Sequence, residues 1–264
     1  MAVVLAAALA ACAQPETKTP QVDPSDPDAP FIIGERADAR SRAKAHTDLA
    51  AAYYEAGNMG VALEEIRYAL AADANYSPAY NVQGLVYMDL KDNAAAQRSF
   101  DRALQLTPND PDLLHNYGWF LCQTGRDAES VQYFLKAIGA PLYRAPAKSY
   151  AAAGQCTLRR ASDPKALDQA AEYFERALRL DPNNVVALLA YAELQYRRDR
   201  LREAQALVAR FNKLVEPTAA SLWLALRIER RLGDRPAETA LATQLRRRYP
   251  NSAEYRDFLQ GKFE

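Results

Sequence analysis

Glycine is scarce in this chain, 10 of 264 residues, and histidine scarcer still, with two. The longer segments also lack the alternating Val, Ile and Thr pattern of half-buried strands. Low glycine, abundant alanine and no strand pattern together leave an all-α protein as the expected fold class. With only His46 and His115 available, and no HExxH, Gly-rich phosphate loop or GxSxG elbow, no metalloenzyme, nucleotide-binding or serine-hydrolase constellation can be assembled. The carboxylates are scattered over helix faces, and nothing pairs them for acid–base work. No catalytic residue, metal site, cofactor or small-molecule substrate is therefore expected. Net charge is absent too: 33 Lys and Arg stand against 33 Asp and Glu. That balance supplies no global attraction for nucleic acid or an anionic surface. Two basic runs, "RRDRLR" at 197–202 and "RRR" at 246–248, read as solvated helix faces. No apolar run approaches the roughly 20 residues that a membrane-spanning helix needs.

What is present begins with a short apolar run, "AVVLAAALAAC", ending at Cys12. Its length suits a secretory h-region followed by small residues. Leu9-Ala10-Ala11-Cys12 resembles the bacterial lipobox, in which small residues enter the peptidase site and the cysteine thiol accepts the lipid. No Lys or Arg precedes the run, a departure that questions Met1 as the start more than it questions the leader. The competing reading is an Ala-rich leader with a chance cysteine. In lipoproteins of this kind an Asp after the cysteine retains the protein at the inner membrane. Ala13 stands there instead and points to the periplasmic face of the outer membrane. Five prolines within residues 14–31, with little to bury, read as a flexible tether. The expected division is a signal segment 1–12, a tether 13–36 and a folded domain 37–264.

The folded part repeats. A 34-residue tetratricopeptide (TPR) pattern has large residues at positions 4, 7 and 11, small ones at 8, 20 and 27, an aromatic at 24 and Pro at 32. In the second unit Tyr80, Gly84, Tyr87, Ala96, Phe100, Ala103 and Pro108 meet it, with Gln83 departing at position 7. The first unit offers Leu49, Ala50, Tyr53, Ala62, Ile66 and Ala69; the third offers Leu114, Tyr117, Gly118, Leu121, Phe134 and Ala137. The fourth opens at Ala145, but Ala170, Phe174, Ala177 and Pro182 fall six residues late. That insertion is expected around "RRASDPKALD", where Ser162 or Asp163 can start a helix before Pro164. Two further units, from about 185 and 219, and a last helix in "NSAEYRDFL" complete the pattern. The expected architecture is a right-handed TPR superhelix of about six helix pairs plus a C-terminal capping helix. Each pair is apolar on two sides and cannot bury both alone, so the units stack.

Such a stack has a concave face lined by the first helix of each pair. Positions 2, 5, 9, 12 and 13 place Tyr54, Leu85, Met88, Trp119, Leu189 and Tyr196 there. An apolar strip of that kind suits a peptide or helix, with Trp119 and Tyr54 as anchors. The bland alternative is packing between neighbouring repeats. Cys122 and Cys156 lie 34 residues apart and both count as position 12. They can be two buried free thiols or a disulfide linking adjacent repeats. An exported protein meets an oxidising periplasm, which favours the bond.

"HNYGWFLCQTGRDAESVQYFLKAIGAPLY" at 115–143, followed by "AGQCTLR" at 153–159, resembles the type IV pilus biogenesis and stability lipoproteins called PilW or PilF. That family combines a lipobox, a tether, six TPRs and this cysteine pair. The resemblance implies a pilotin, which binds the pilus secretin and promotes its outer-membrane localisation and multimer assembly. It also places the partner surface in the N-terminal repeats, around Tyr53, Tyr54, Leu85 and Met88. The competing expectation is a general envelope scaffold for peptidoglycan enzymes or outer-membrane protein assembly.

Overall fold

In the computed structural model the described residues are 33–159 and 164–263, with side chains from residue 38. The lipobox Cys12, the tether apart from its last four residues, and the helix-starting Ser162 and Asp163 lie outside them. Among the described residues there are thirteen α-helices and no strand. They run as six pairs: α1 (Ile33–Glu55) with α2 (Met59–Ala72), α3 (Ser77–Asp89) with α4 (Asn93–Leu106), α5 (Pro111–Gln123) with α6 (Asp127–Gly139), α7 (Pro146–Arg159) with α8 (Pro164–Leu180), α9 (Val185–Arg197) with α10 (Leu201–Leu214), and α11 (Ala219–Leu232) with α12 (Arg235–Arg248). The short α13 (Ala253–Leu259) packs on α11 and α12. Residues from Ala39 onward form one contact unit, and the packing described below belongs to it.

Helix ends follow from local chemistry. Asp92, Asp110, Asn184 and Asp234 each accept a hydrogen bond from the backbone N–H three residues on, at 2.9–3.0 Å. Thr218 and Ser221 form a reciprocal capping box at the start of α11. Thr107 and Asp181, each followed by a proline, close α4 and α8. Within a pair, the turn reverses the chain through one left-handed residue: Gly57, Lys91, Gly125, Asp199 and Gly233, with φ of 78°, 64°, 82°, 61° and 82°. Consecutive pairs place it 34 residues apart, so this turn carries the repeat as clearly as the core does.

Helix α1 begins at Ile33, four residues inside the segment 13–36 assigned to the tether. Pro30 is the last proline before it, and the Glu, Arg and Ala residues that follow are strong helix formers. The first helix therefore extends beyond the repeat that it opens.

Close approach within pairs rests on glycine facing phenylalanine. A Cβ on Gly84 would lie 2.7 Å from the Phe100 ring, on Gly118 3.0 Å from Phe134, and on Gly154 2.5 Å from Phe174. All three rings are fully buried. This contact also corrects the register of the fourth unit. Gly154, not Ala152, matches Gly84 and Gly118, so the six-residue shift splits into two residues before α7 and four between α7 and α8. Cys156 consequently lies two residues beyond its matching glycine, whereas Cys122 lies four beyond. The two cysteines do not share a repeat position, and that difference lets them face each other. Residues at one position point the same way along the stack; an offset of two turns one of them back toward its neighbour.

Candidate functional site

Cys122 and Cys156 are joined by a disulfide, with Cα atoms 5.8 Å apart. The bond crosses from α5 to α7 inside a cluster with Phe134, Ala152, Ala153 and Tyr173. Two turns earlier on the same seam, His115 Nδ1 meets Ser149 Oγ at 2.8 Å, again across 34 residues. Tyr143 OH extends that chain to Ser149 at 2.8 Å. Burial, and secondarily the Lys148 ammonium, push His115 down to about 3, so the imidazole is neutral. These contacts set α5 and α7 rigidly beside each other.

That rigid seam forms the floor of a groove of about 560 Å³. Tyr54 on α1, Leu85 and Met88 on α3 and Trp119 on α5 line it together, as the position count expects. Tyr54 OH donates to Asp89 at 2.8 Å, which ties α1 to α3. Burial, then this carboxylate, raise the phenol above its usual range. Trp119 is half-buried, while Met88 is 6% exposed and adds mostly to the groove floor. Tyr53 does not line the groove. It packs between the helices of the first pair, against the cluster of Ala50, Ala62 and Ile66. Neighbouring residues on a helix point about 100° apart, so a tyrosine at position 11 serves the interior and one at position 12 serves the concave face.

Position counting in the first repeats missed the far wall, where Lys148, Ala151, Gln155 and Val186 complete the groove. The shifted register of the fourth unit hid them, and alanines carry little signal by themselves. Leu189 lines a second concave cavity, of about 440 Å³, together with Trp223 and Arg227. Tyr196 is 7% exposed and donates to the Phe263 carbonyl at 3.2 Å, so it is held under the C-terminal residues. Among the described residues no cluster of three or more His, Cys, Asp or Glu could hold a metal ion. His46 meets Glu65 at 2.6 Å, a contact that ties α1 to α2. No described helix is long and apolar enough to cross a membrane.

Comparison with known proteins agrees with this architecture. Tetratricopeptide-repeat family models match residues 81–153 and 163–214. A type IV pilus assembly protein from Pseudomonas aeruginosa, PilF, is 29% identical over 218 residues, covering 83% of this chain and 85% of that protein. The solved structure of that PilF covers 86% of this chain and 99% of the other, with a TM-score of 0.75. The crystal structure of PilW, described as a widely conserved type IV pilus biogenesis factor, superposes with a TM-score of 0.75 at 30% identity, over 82% of this chain and 98% of that one. The repeats, the concave groove and these relatives agree, and the chain belongs to the PilW/PilF family of type IV pilus biogenesis TPR proteins.

Proposed function

We propose that this protein is a pilotin: a lipid-anchored binding protein that captures the pilus secretin and promotes its outer-membrane localisation and assembly into multimers. The observation that carries this reading is the groove formed by Tyr54, Leu85, Met88 and Trp119. It is concave, carries an apolar strip and is built on packed helices, which suits a protein segment better than a small polar substrate. Half-buried aromatic anchors such as Trp119 and Tyr54 are the side chains that concentrate binding energy at protein interfaces. Lipidation at Cys12 supplies the targeting, and the tether after it gives the repeats reach from the membrane.

A photoreactive amino acid at position 54 or 85, introduced in living cells, tests the capture step. Crosslinking to the secretin is the expected result, with none from the exposed Arg98 on the opposite helix of the second pair. Peptidoglycan hydrolases or barrel-assembly proteins at 54 and 85, with no secretin, would replace the pilotin by a general envelope scaffold.

A further inference from the structure

The concave cavities join end to end. The groove of the N-terminal half and the cavity around Leu189 and Trp223 share Gln155 and Val186. That second cavity shares Arg227 with a third, of about 540 Å³, lined by Tyr196, Arg227, Arg230, Arg231 and Phe263. The track therefore passes along the first helix of successive pairs from α1 to α11. Five helix-to-helix spacings of about 8–10 Å make it about 40–50 Å long. An extended chain covers that distance in about 12–15 residues.

Its two ends differ in charge. At the α1–α3 end the exposed carboxylates of Glu55 and Asp89 line the groove. At the α11 end the described lining is Tyr196, Arg227, Arg230, Arg231 and Phe263, with no carboxylate among these described residues. The three lining guanidiniums and their neighbours Arg197 and Arg235 share three carboxylates: Arg197 and Arg227 with Glu193, Arg230 and Arg235 with Glu238, and Arg231 with Asp199. Arg227 is the most telling of them. Its side chain is 11% exposed and lies 4.7 Å over the Tyr196 ring, and its Nε–H has no hydrogen-bond partner. The exposed guanidiniums of Arg230 and Arg231 beside it are the groups that an arriving carboxylate can reach. Between the ends the lining is mainly apolar, with Leu85, Trp119, Val186, Leu189 and Trp223. Lys148, Glu193 and Glu254 are the charges along it, with Glu193 paired to Arg227 at 2.9 Å. The asymmetry extends to the whole chain: residues 185–264 carry 15 Lys and Arg against 10 Asp and Glu, and the first 184 carry 18 against 23.

We propose that the track has a polarity and holds one extended segment of a partner protein, cationic at the α1–α3 end, apolar in the middle and carboxylate-bearing at the arginine end. This rests on the reading of the groove as a protein-binding surface and adds the chemistry and direction of what it binds. Opposite charges at the two ends select one orientation, because the reversed segment would bring like charges together at both.

Fluorescence anisotropy with the full-length protein and four labelled peptides of 14 residues tests it. All four share one Leu-, Val- and Ser-containing middle. One carries two Lys at its amino end and two Glu at its carboxyl end, the second is the reverse, the third has Lys at both ends and the fourth Glu at both. One mixed peptide is expected to bind about tenfold tighter than either like-ended peptide, with the advantage shrinking as salt is raised. Arg231→Gln should weaken that peptide about three- to fivefold without weakening the Lys-ended peptide. Glu55→Gln should weaken it similarly and spare the Glu-ended peptide. Both positions are exposed, and unchanged melting of the variants keeps the comparison clean. Equal binding of all four peptides, or an equal effect of Arg231→Gln on all of them, overturns the polarity while the groove stands. If no peptide binds, or if Trp119→Ala leaves binding untouched, the groove reading itself fails and the polarity with it.

Discussion

Replacing a hydrogen of Gly154 by a methyl group would put carbon 2.5 Å from a buried ring carbon of Phe174. The ring is fully enclosed, so backbone must move, and overpacking of this kind costs about 1–3 kcal/mol. Gly154→Ala should therefore lower the stability measured by urea unfolding, despite alanine's better helix propensity. Gly60 in α2, with no atom within 4 Å of its added Cβ, is the control: Gly60→Ala should stabilise by about 0.5–1 kcal/mol. Equal effects at the two sites would refute the packing account. His115 makes a second residue-scale prediction. Folded, it refuses a proton until pH falls to about 3, while the unfolded chain accepts one below about 6.5. The unfolded state thus binds more protons across that window, and stability falls as pH drops through it. His115→Gln should flatten the decline, by an amount on the order of 3–5 kcal/mol at the acid end. Unfolding curves from pH 7 to pH 3 with parallel slopes for both proteins would contradict this.

The elements are coupled mainly to their neighbours, and among the described residues the disulfide is the one side-chain covalent cross-link between pairs. It closes a loop of 34 residues, worth about 3–4 kcal/mol in the chain-entropy treatment. In a stacked array such a loss lands locally. Reduction, or a Cys122→Ala and Cys156→Ala double variant, should speed amide hydrogen exchange in α5–α8 and leave α11 and α12 near their starting rates. The C-terminal pair has its own closure, in which α13 brings Phe258 and Phe263 onto Trp223, at ring separations of 6.5 and 5.4 Å. A uniform change in exchange along the chain would mean that the repeats unfold as one unit rather than pair by pair.

For the whole molecule, the proposed division of labour separates capture from delivery. Under that proposal the groove would hold the partner whether or not the protein is anchored, and a lipid at Cys12 would decide where the complex goes. Cys12→Ala should leave crosslinking from position 85 intact while outer-membrane secretin multimers fall several-fold, read by membrane fractionation and immunoblotting. Wild-type multimers in that variant would remove the anchor from the mechanism.

Most of the helices were legible in advance, because a TPR unit advertises itself by side-chain size. Gly84 with Phe100 and Gly118 with Phe134 recur at a fixed spacing that packing enforces. The concave position of Tyr54, Leu85, Met88 and Trp119 follows from the same count, since helical periodicity settles which face a residue occupies. The count went astray where it assumed a uniform frame. Two added residues before α7 and four after it moved Cys156 off the position of Cys122, and only contact between Gly154 and Phe174 reveals this. Tyr53 was drawn into the groove by resemblance, though one residue of rotation turns it inward. The sequence alone determined an array of helical pairs with an apolar concave face, because those depend on local spacing. Only the tertiary structure decided that the cysteines face across α5 and α7, that three cavities share lining residues, and that Glu55 and Asp89 line one end while Arg227, Arg230 and Arg231 line the other. Those facts depend on which pairs stack, and at what offset, over distances that local patterning does not encode.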